Sequence, residues 1–269
     1  MYEKYKPTKV IHLAAKVGGI FKNINYPADL LYENVLMNTL VLHYAYKNNV
    51  KKFIGVLSNC SYPDIAKSYP AKEEYFFDGP PQKTNFAYAY SKRTFGIQIE
   101  SYRKQYGCNF LGVIPCNLYG PYDNFDKKGS HFVAALIRKI HEAKEGKKDT
   151  IQLFGTGKPL RQYMYSEDLA KILKILLEKY DGEGPINIAP HGQNYSIKEI
   201  AKIALDAMDA DNLKINFDKN YPDGQFRKDI ATEKLQKIIG PFSFTTLKEG
   251  IWKTYEWYLK SNLTYQNGE

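Results

Sequence analysis

Apolar positions in the first 120 residues follow two alternating patterns. Short, nearly continuous apolar runs occupy 10–15 ("VIHLAA"), 51–59 ("KKFIGVLSN") and 109–120 ("NFLGVIPCNLYG"). Between them, 28–49 and 87–107 carry apolar residues at helical spacing, and Gly107 stands where a helix C-terminus favours glycine. Continuous apolar strands alternating with helices predict a parallel sheet covered on both faces. After Pro121 the pattern loosens. A polar loop (122–130) leads into a helix (131–146), then two short strands around a Gly-Pro turn (150–165). A helix over 166–180 opens with Ser166, Glu167 and Asp168, residue types suited to a helix N-terminus. A strand (185–190), a helix (196–208), a short strand (214–217) and a last helix (245–261) complete the pattern. No internal repeat or low-complexity tract is present.

Composition narrows the class. No run of about 18 apolar residues exists, so no membrane span or membrane partner is expected. The N-terminal "MYEKYKPTK" lacks the apolar stretch of a secretory signal. Three cysteines, an odd number with no C-x-x-C pair, argue against a disulfide framework or a zinc site. They suit a reducing, cytoplasmic setting, and no metal is expected. The formal charge of +9 comes mostly from lysines scattered over helix faces. It reads as a solvated surface, part of which could steer an anionic substrate such as a nucleotide. No Arg-rich or aromatic-interleaved stripe points to nucleic acid.

Candidate chemistry begins with Tyr88-x-x-x-Lys92. Positions i and i+4 share a helix face, and a neighbouring ammonium is expected to lower the tyrosine pKa towards neutrality. Such a tyrosine can pass a proton to a carbonyl oxygen as a hydride reaches the carbon. The spacing alone also describes an ordinary helix pair. Ser58 ends a predicted parallel strand, where open α/β sheets bind ligands. Ser58, Tyr88 and Lys92 together have the order of the Ser/Tyr/Lys triad of nicotinamide-dependent reductases. Cys60 lies two residues on, either a small buried hydrophobe or a thiolate base. His131 is either a surface helix start or the acid partner of that base. Arg161, Arg227 and Lys228 sit in turn-rich segments, either solvated or gathered on a pyrophosphate.

With these residues placed, the chain resembles the GDP-L-fucose synthase family of the extended short-chain dehydrogenase/reductase superfamily. The matching stretches are "HLAAKVGGI", "YPADLLYEN", "SNCSYP", "YAYSK", "CNLYGPYDNF", "SHFVAALIRKIHEA", "FGTGKPLRQYMYSEDLA" and "PDGQFRKD", in family order. The resemblance implies an α/β fold: a Rossmann-like parallel sheet with a smaller α/β C-terminal substrate domain. Residues 1–120, with 162–190 crossing back, would form the NADP-binding part; 121–161 and 191–269 would form the GDP-sugar part. It implies conversion of GDP-4-keto-6-deoxy-D-mannose to GDP-L-fucose with NADP(H), by epimerisation at C3 and C5 and reduction at C4. Tyr88, Lys92, Ser58, Cys60 and His131 carry the catalytic roles by this likeness. Ala14, Ala15, Val56, Leu57, Ser58, Asn59, Lys92, Pro115, Cys116, Asn117, Leu118 and His131 line the cofactor. Lys139, Phe154, Arg161, Asp223 and Lys228 contact the substrate's GDP moiety. A homodimer through the helices at 28–49 and 87–107 is also implied.

Several positions depart from the family pattern. Lys139 stands for a second arginine and Phe154 for a tryptophan, while "VLSN" places Leu57 near the nicotinamide. These leave a related GDP-4-keto-6-deoxyheptose open as substrate. Asn59 and Cys60 occupy the place of the acidic pair of dehydratases, which argues against that chemistry. By the resemblance, "KPTKVIHLAA" is the fourth strand of the family's sheet. The first three strands and the G-x-G-x-x-G turn are absent from the sequence, and Gly18-Gly19 lacks that spacing. Weak NADPH binding by these 269 residues is therefore expected. A catalytically silent GDP-sugar-binding or partner protein is the alternative.

Overall fold

A computed structural model describes residues 1–127, 129–221 and 223–266; Lys128, within the expected polar loop, lies outside them. In chain order the elements are α1 (Tyr2–Tyr5), β1 (Lys9–His12), α2 (Ile20–Asn25), α3 (Pro27–Lys47), β2 (Lys52–Val56), α4 (Phe86–Tyr106) and β3 (Phe110–Pro115). There follow β4 (Asn117–Tyr119), α5 (Phe132–Glu145), β5 (Thr150–Phe154), β6 (Leu160–Arg161), β7 (Tyr163–Tyr165) and α6 (Ser166–Lys179). The last are β8 (Ile186–Ile188), β9 (Tyr195–Ser196), α7 (Ile197–Ala207), β10 (Lys214–Asp218), α8 (Glu233–Ile239) and α9 (Leu247–Gln266). Among the described residues no helix is long and apolar enough to cross a membrane.

Two compact units divide the chain: 1–116 with 169–191 and 228–242, and 117–168 with 192–227 and 243–269. In the first, β1, β2, β3 and β8 form a parallel sheet in that order. Val10 pairs with Phe53, Phe53 with Phe110, and Val113 with Ile186. Every residue of β3 is buried, as continuous apolar strands of a covered parallel sheet should be. Phe53 meets Phe95 of α4 and Phe110 of β3 at ring-centroid distances of 6.3 and 5.2 Å. Gly55 makes this approach possible, because a Cβ there would lie 2.6 Å from the Phe95 ring. Helix α4 stops at Gly107, whose φ of +66° is open to glycine without strain.

The expected strand 10–15 ends at His12, and the segment beyond it is held by a side chain instead. Asn34 of α3 is buried; its Nδ2 donates to Lys16 O and its Oδ1 accepts from Lys16 N, both at 2.9 Å. That exchange satisfies the loop's backbone where no strand partner does. Residues 228–242, expected in the GDP-sugar part, belong to the first unit. Ala71 anchors them: its N–H donates to Asp229 O at 2.8 Å and its carbonyl accepts from Ala231 N at 2.9 Å.

The second unit holds three two-stranded pairs: β4 with β7 and β5 with β10, both parallel, and β6 with β9, antiparallel. Its core joins one face each of α5, α7 and α9 through Leu136, Ile140, Ile200, Ala204, Ile251 and Tyr255. Burying each large aliphatic side chain contributes roughly 1.5–3 kcal/mol. Helix α7 starts with a capping box between Ser196 and Glu199. The single strand expected over 109–120 is two, β3 and β4, broken at Cys116 where the chain leaves one unit for the other.

Candidate active site

The reactive residues of the first unit gather where β2 ends. Beyond Val56 the chain enters a short 3-10 turn, Asn59–Ser61, capped by Ser58: its Oγ accepts from Cys60 N at 3.2 Å. Tyr88, in the first turn of α4, shares a hydrogen bond with the Ser58 side chain and lies within electrostatic reach of Cys60. One turn on, Lys92 is buried; its Nζ donates to Val56 O at 2.7 Å and sits 6.0 Å from the Tyr88 ring centroid. The structure thus brings Ser58, Cys60, Tyr88 and Lys92 together. Lys228 joins them with its Nζ 3.6 Å from Cys60 Sγ. The family likeness places Lys228 among the GDP contacts; here it faces the thiol.

The electrostatics correct one expectation. Lys92 is expected from the motif to pull the Tyr88 hydroxyl down. The Tyr88 pKa is instead raised, by burial first and by the nearby Cys60 second, with the Ser58 hydrogen bond acting the other way. Loss of water around the phenol outweighs an ammonium that points at a backbone carbonyl. Burial also pushes Lys92 down to about 8. Beneath it, buried His12 bonds Asn38 Oδ1 through Nε2 at 2.9 Å; burial, with Lys92 opposing a second charge, holds its pKa low.

The expected cofactor set divides. Ala14 and Ala15 lie in the irregular segment after β1, and Val56 supplies the carbonyl that holds Lys92. Leu57 is 3% exposed, and its side chain packs over Gly96 and Gly112. A strand alternates its side chains, so the residue after Val56 is turned into the core under α4. Asn59 is buried. Pro115 ends β3, and buried Cys116, its thiol pKa pushed up by burial, donates its N–H to Ile188 O at 2.9 Å. Asn117 and Leu118 are strand residues of β4 in the second unit, and Asn117 Nδ2 bonds Gln162 O at 2.9 Å. A nicotinamide ribose fits the first unit's residues on one observation. Among the described residues Val56 O is the one hydrogen-bond partner of the Lys92 ammonium, which has three donors. Among the described residues, no group of three or more His, Cys, Asp or Glu could hold a metal ion.

The remaining candidates belong to the second unit. His131 is the residue before α5, exposed, with Nδ1 3.7 Å from Asp123 Oδ1. Arg161 lies in β6, and its Nη1 donates to Leu160 O at 2.7 Å. Lys139, Phe154 and Asp223 do come together. Lys139 Nζ donates to Gln152 O at 2.7 Å and stands 5.0 Å from the Phe154 ring centroid. Burial, then the Arg138 charge, lowers the Lys139 pKa. Asp223 accepts from Thr156 N and Thr156 Oγ1, both at 2.6 Å. Gly155 permits that clasp: its φ is +82°, and a Cβ would lie 2.3 Å from Asp223 Oδ1. Sequence reasoning missed Thr156 and Tyr221. Tyr221 stacks on Phe154 at 3.9 Å between ring centroids, and both rings are largely exposed. An aromatic next to a Pro-Asp-Gly turn was the signal available for Tyr221.

A strand-end serine and cysteine beside a Tyr-x-x-x-Lys helix can polarise a ketone and move protons next to it. Residues 1–189 match the model of the NAD dependent epimerase/dehydratase family, and the chain belongs to that family. Within it, the chain is similar to the GDP-L-fucose synthase of Sinorhizobium fredii (strain NBRC 101917 / NGR234), at 41% identity over 96% of this chain and 81% of the relative. Among solved structures it is similar to a GDP-L-fucose synthetase from Naegleria fowleri bound to NADP, with a TM-score of 0.90, 37% identity, and coverage of 98% of this chain and 80% of that one. A GDP-6-OMe-4-keto-L-xylo-heptose reductase from C. jejuni is also similar, at 29% identity and a TM-score of 0.86, covering 97% of this chain and 85% of that one.

Proposed function

We propose that this chain acts as an NADPH-dependent epimerase and reductase converting GDP-4-keto-6-deoxy-D-mannose to GDP-L-fucose. One observation carries the reading: a thiol, Cys60, stands inside the Ser58–Tyr88–Lys92 constellation. A reductase alone has no use for that thiol. The C4 ketone makes the C3 and C5 protons acidic, because their loss leaves an enolate. Cys60 takes those protons, and the resemblance assigns their return on the other face to His131. Tyr88 and Ser58 stabilise the negative charge developing on the C4 oxygen. NADPH, when bound, would supply the hydride for C4. Tyr88 gives the C4 oxygen its proton, which the raised pKa keeps in place at neutral pH. Lys92 would hold the nicotinamide ribose. Lys139, Phe154 and Arg161 contact the GDP moiety, and Asp223 shapes the Thr156 turn beside them.

The test is turnover of GDP-4-keto-6-deoxy-D-mannose in deuterated water with NADPH in large excess, to overcome the weak binding expected without the G-x-G-x-x-G turn, and with the product followed by NMR. The expected product is GDP-L-fucose carrying deuterium at C3 and C5. Cys60→Ser should lose the deuterium far more than the reduction. NADPH oxidation without deuterium at C3 or C5 would replace this reading with a plain C4 reductase, the heptose enzyme included. Absence of both would leave a GDP-sugar-binding protein.

The same reading includes a homodimer formed by α3 and α4. Tyr32, Leu36, Leu40 and Tyr44 repeat every four residues along α3, all exposed, and Phe86, Tyr90 and Ile97 are exposed along α4. Leu36→Glu with Leu40→Glu should convert a dimer to a monomer in light scattering; a monomeric parent protein refutes the dimer. Three free thiols fit the cytoplasm as its location.

A further inference from the structure

The Lys228 ammonium lies on the Cys60 sulfur, and neither partner is placed there by chance of a loose side chain. Lys228 directly precedes the segment clasped to Ala71 by two backbone hydrogen bonds, and its neighbours Asp229 and Ile230 are 2% and 1% exposed. Cys60 is held by the Ser58-capped turn, whose Ser61 N–H donates to Ser58 O at 3.0 Å. The Tyr88 phenol, within electrostatic reach of Cys60, keeps its proton, since its pKa is raised. A full positive charge 3.6 Å away interacts with a thiolate far more favourably than with a thiol.

We propose that Lys228 is the counter-ion of the Cys60 thiolate and thereby a positioning residue for proton abstraction, rather than a holder of the substrate's phosphates. The role rests on the reading of Cys60 as the base. In the step itself the thiolate electron pair takes a proton from C3 or C5, the C–H pair moves into the enolate, and the negative charge passes from sulfur to the C4 oxygen. Lys228 keeps its proton throughout. Its charge holds Cys60 ready as base before each abstraction.

The test measures two things in the native protein and in Lys228→Met, Lys228→Gln and Lys228→Arg. The first is the rate of Cys60 alkylation by iodoacetamide at about pH 7, read by peptide mass. The second is deuterium incorporation at C3 and C5 of GDP-4-keto-6-deoxy-D-mannose, analysed as kcat and KM. Both neutral variants should alkylate Cys60 about tenfold more slowly and lose kcat for exchange with little change in KM. Lys228→Arg should restore both. Unchanged alkylation overturns the proposal, as does a raised KM with kcat intact, which would make Lys228 a phosphate contact. Two neutral variants guard against one that fails to fold. Should Cys60→Ser keep full exchange, the reading of Cys60 as base fails, whereas the alkylation rates still decide whether Lys228 governs the thiol.

Discussion

The two units place their candidate site residues in different settings. In the first, Lys92 is 2% exposed and the polar residues around the site are buried: Ser61 and Ser91 fully, with Arg93 bonding Ser61 O and Gly79 O at 2.7 and 2.8 Å. In the second, Phe154 and Tyr221 stand in water at 58% and 48% exposure on segments shaped by a glycine turn and an aspartate clasp. Burial shifts proton affinities, and it demands that each buried group be fixed by a partner. Exposure presents flat, stackable surface. A group that must transfer a proton gains from the first setting. A group that stacks on a flat ligand, as proposed for Phe154, needs the second.

The contrast can be broken most severely at Tyr88. Tyr88→Phe should lower ketone reduction by about 10²–10⁴, with GDP affinity unchanged in calorimetry, since the hydroxyl is the only group lost. A variant that reduces at the parent rate would remove Tyr88 from the chemistry.

Lys92 tests what burial costs. The unfolded chain keeps this lysine's proton up to about pH 10.5 and the folded chain only to about 8. The native state is therefore penalised in full below about pH 8, and the penalty fades as the pH rises to 10.5. Lys92→Met should be more stable than the parent at about pH 7 by about 2 kcal/mol, after allowing for the lost bond to Val56 O. The gain should vanish near pH 10.5, while reduction is lost. Urea midpoints across that range decide it, and a gain independent of pH would refute the assignment to Lys92.

The smallest expected effect sits in the second unit. Gly155→Ala forces a Cβ onto Asp223 at a positive φ and should cost about 1–3 kcal/mol of stability with weaker GDP binding. Adding Asp223→Ala should recover part of the loss. Full additivity of the two changes would show that the clasp is not what Gly155 protects.

Much of this was legible in the amino-acid order. Helices α3, α4, α5, α6 and α7 fall where the period placed them, because each buries one stripe on a core. The boundaries that moved did so for tertiary reasons. Strand 10–15 stops at His12, and past its expected end Asn34 takes over the backbone of Lys16. Strand 109–120 breaks at Cys116, where one unit hands the chain to the other. The proton affinity of Tyr88 was misjudged because spacing locates a residue on an element but does not count the water around it.

The chain's own order therefore determined the parallel α/β architecture and the presence of Ser58, Cys60, Tyr88 and Lys92 as candidates. Periodicity and short-range motifs are local, and both survive folding intact. Only the tertiary structure decided that Lys228 meets Cys60 across 168 positions of chain, and that Tyr88 holds its proton more tightly instead of less. Long-range contacts and desolvation are properties of packing, and packing is set by every element at once.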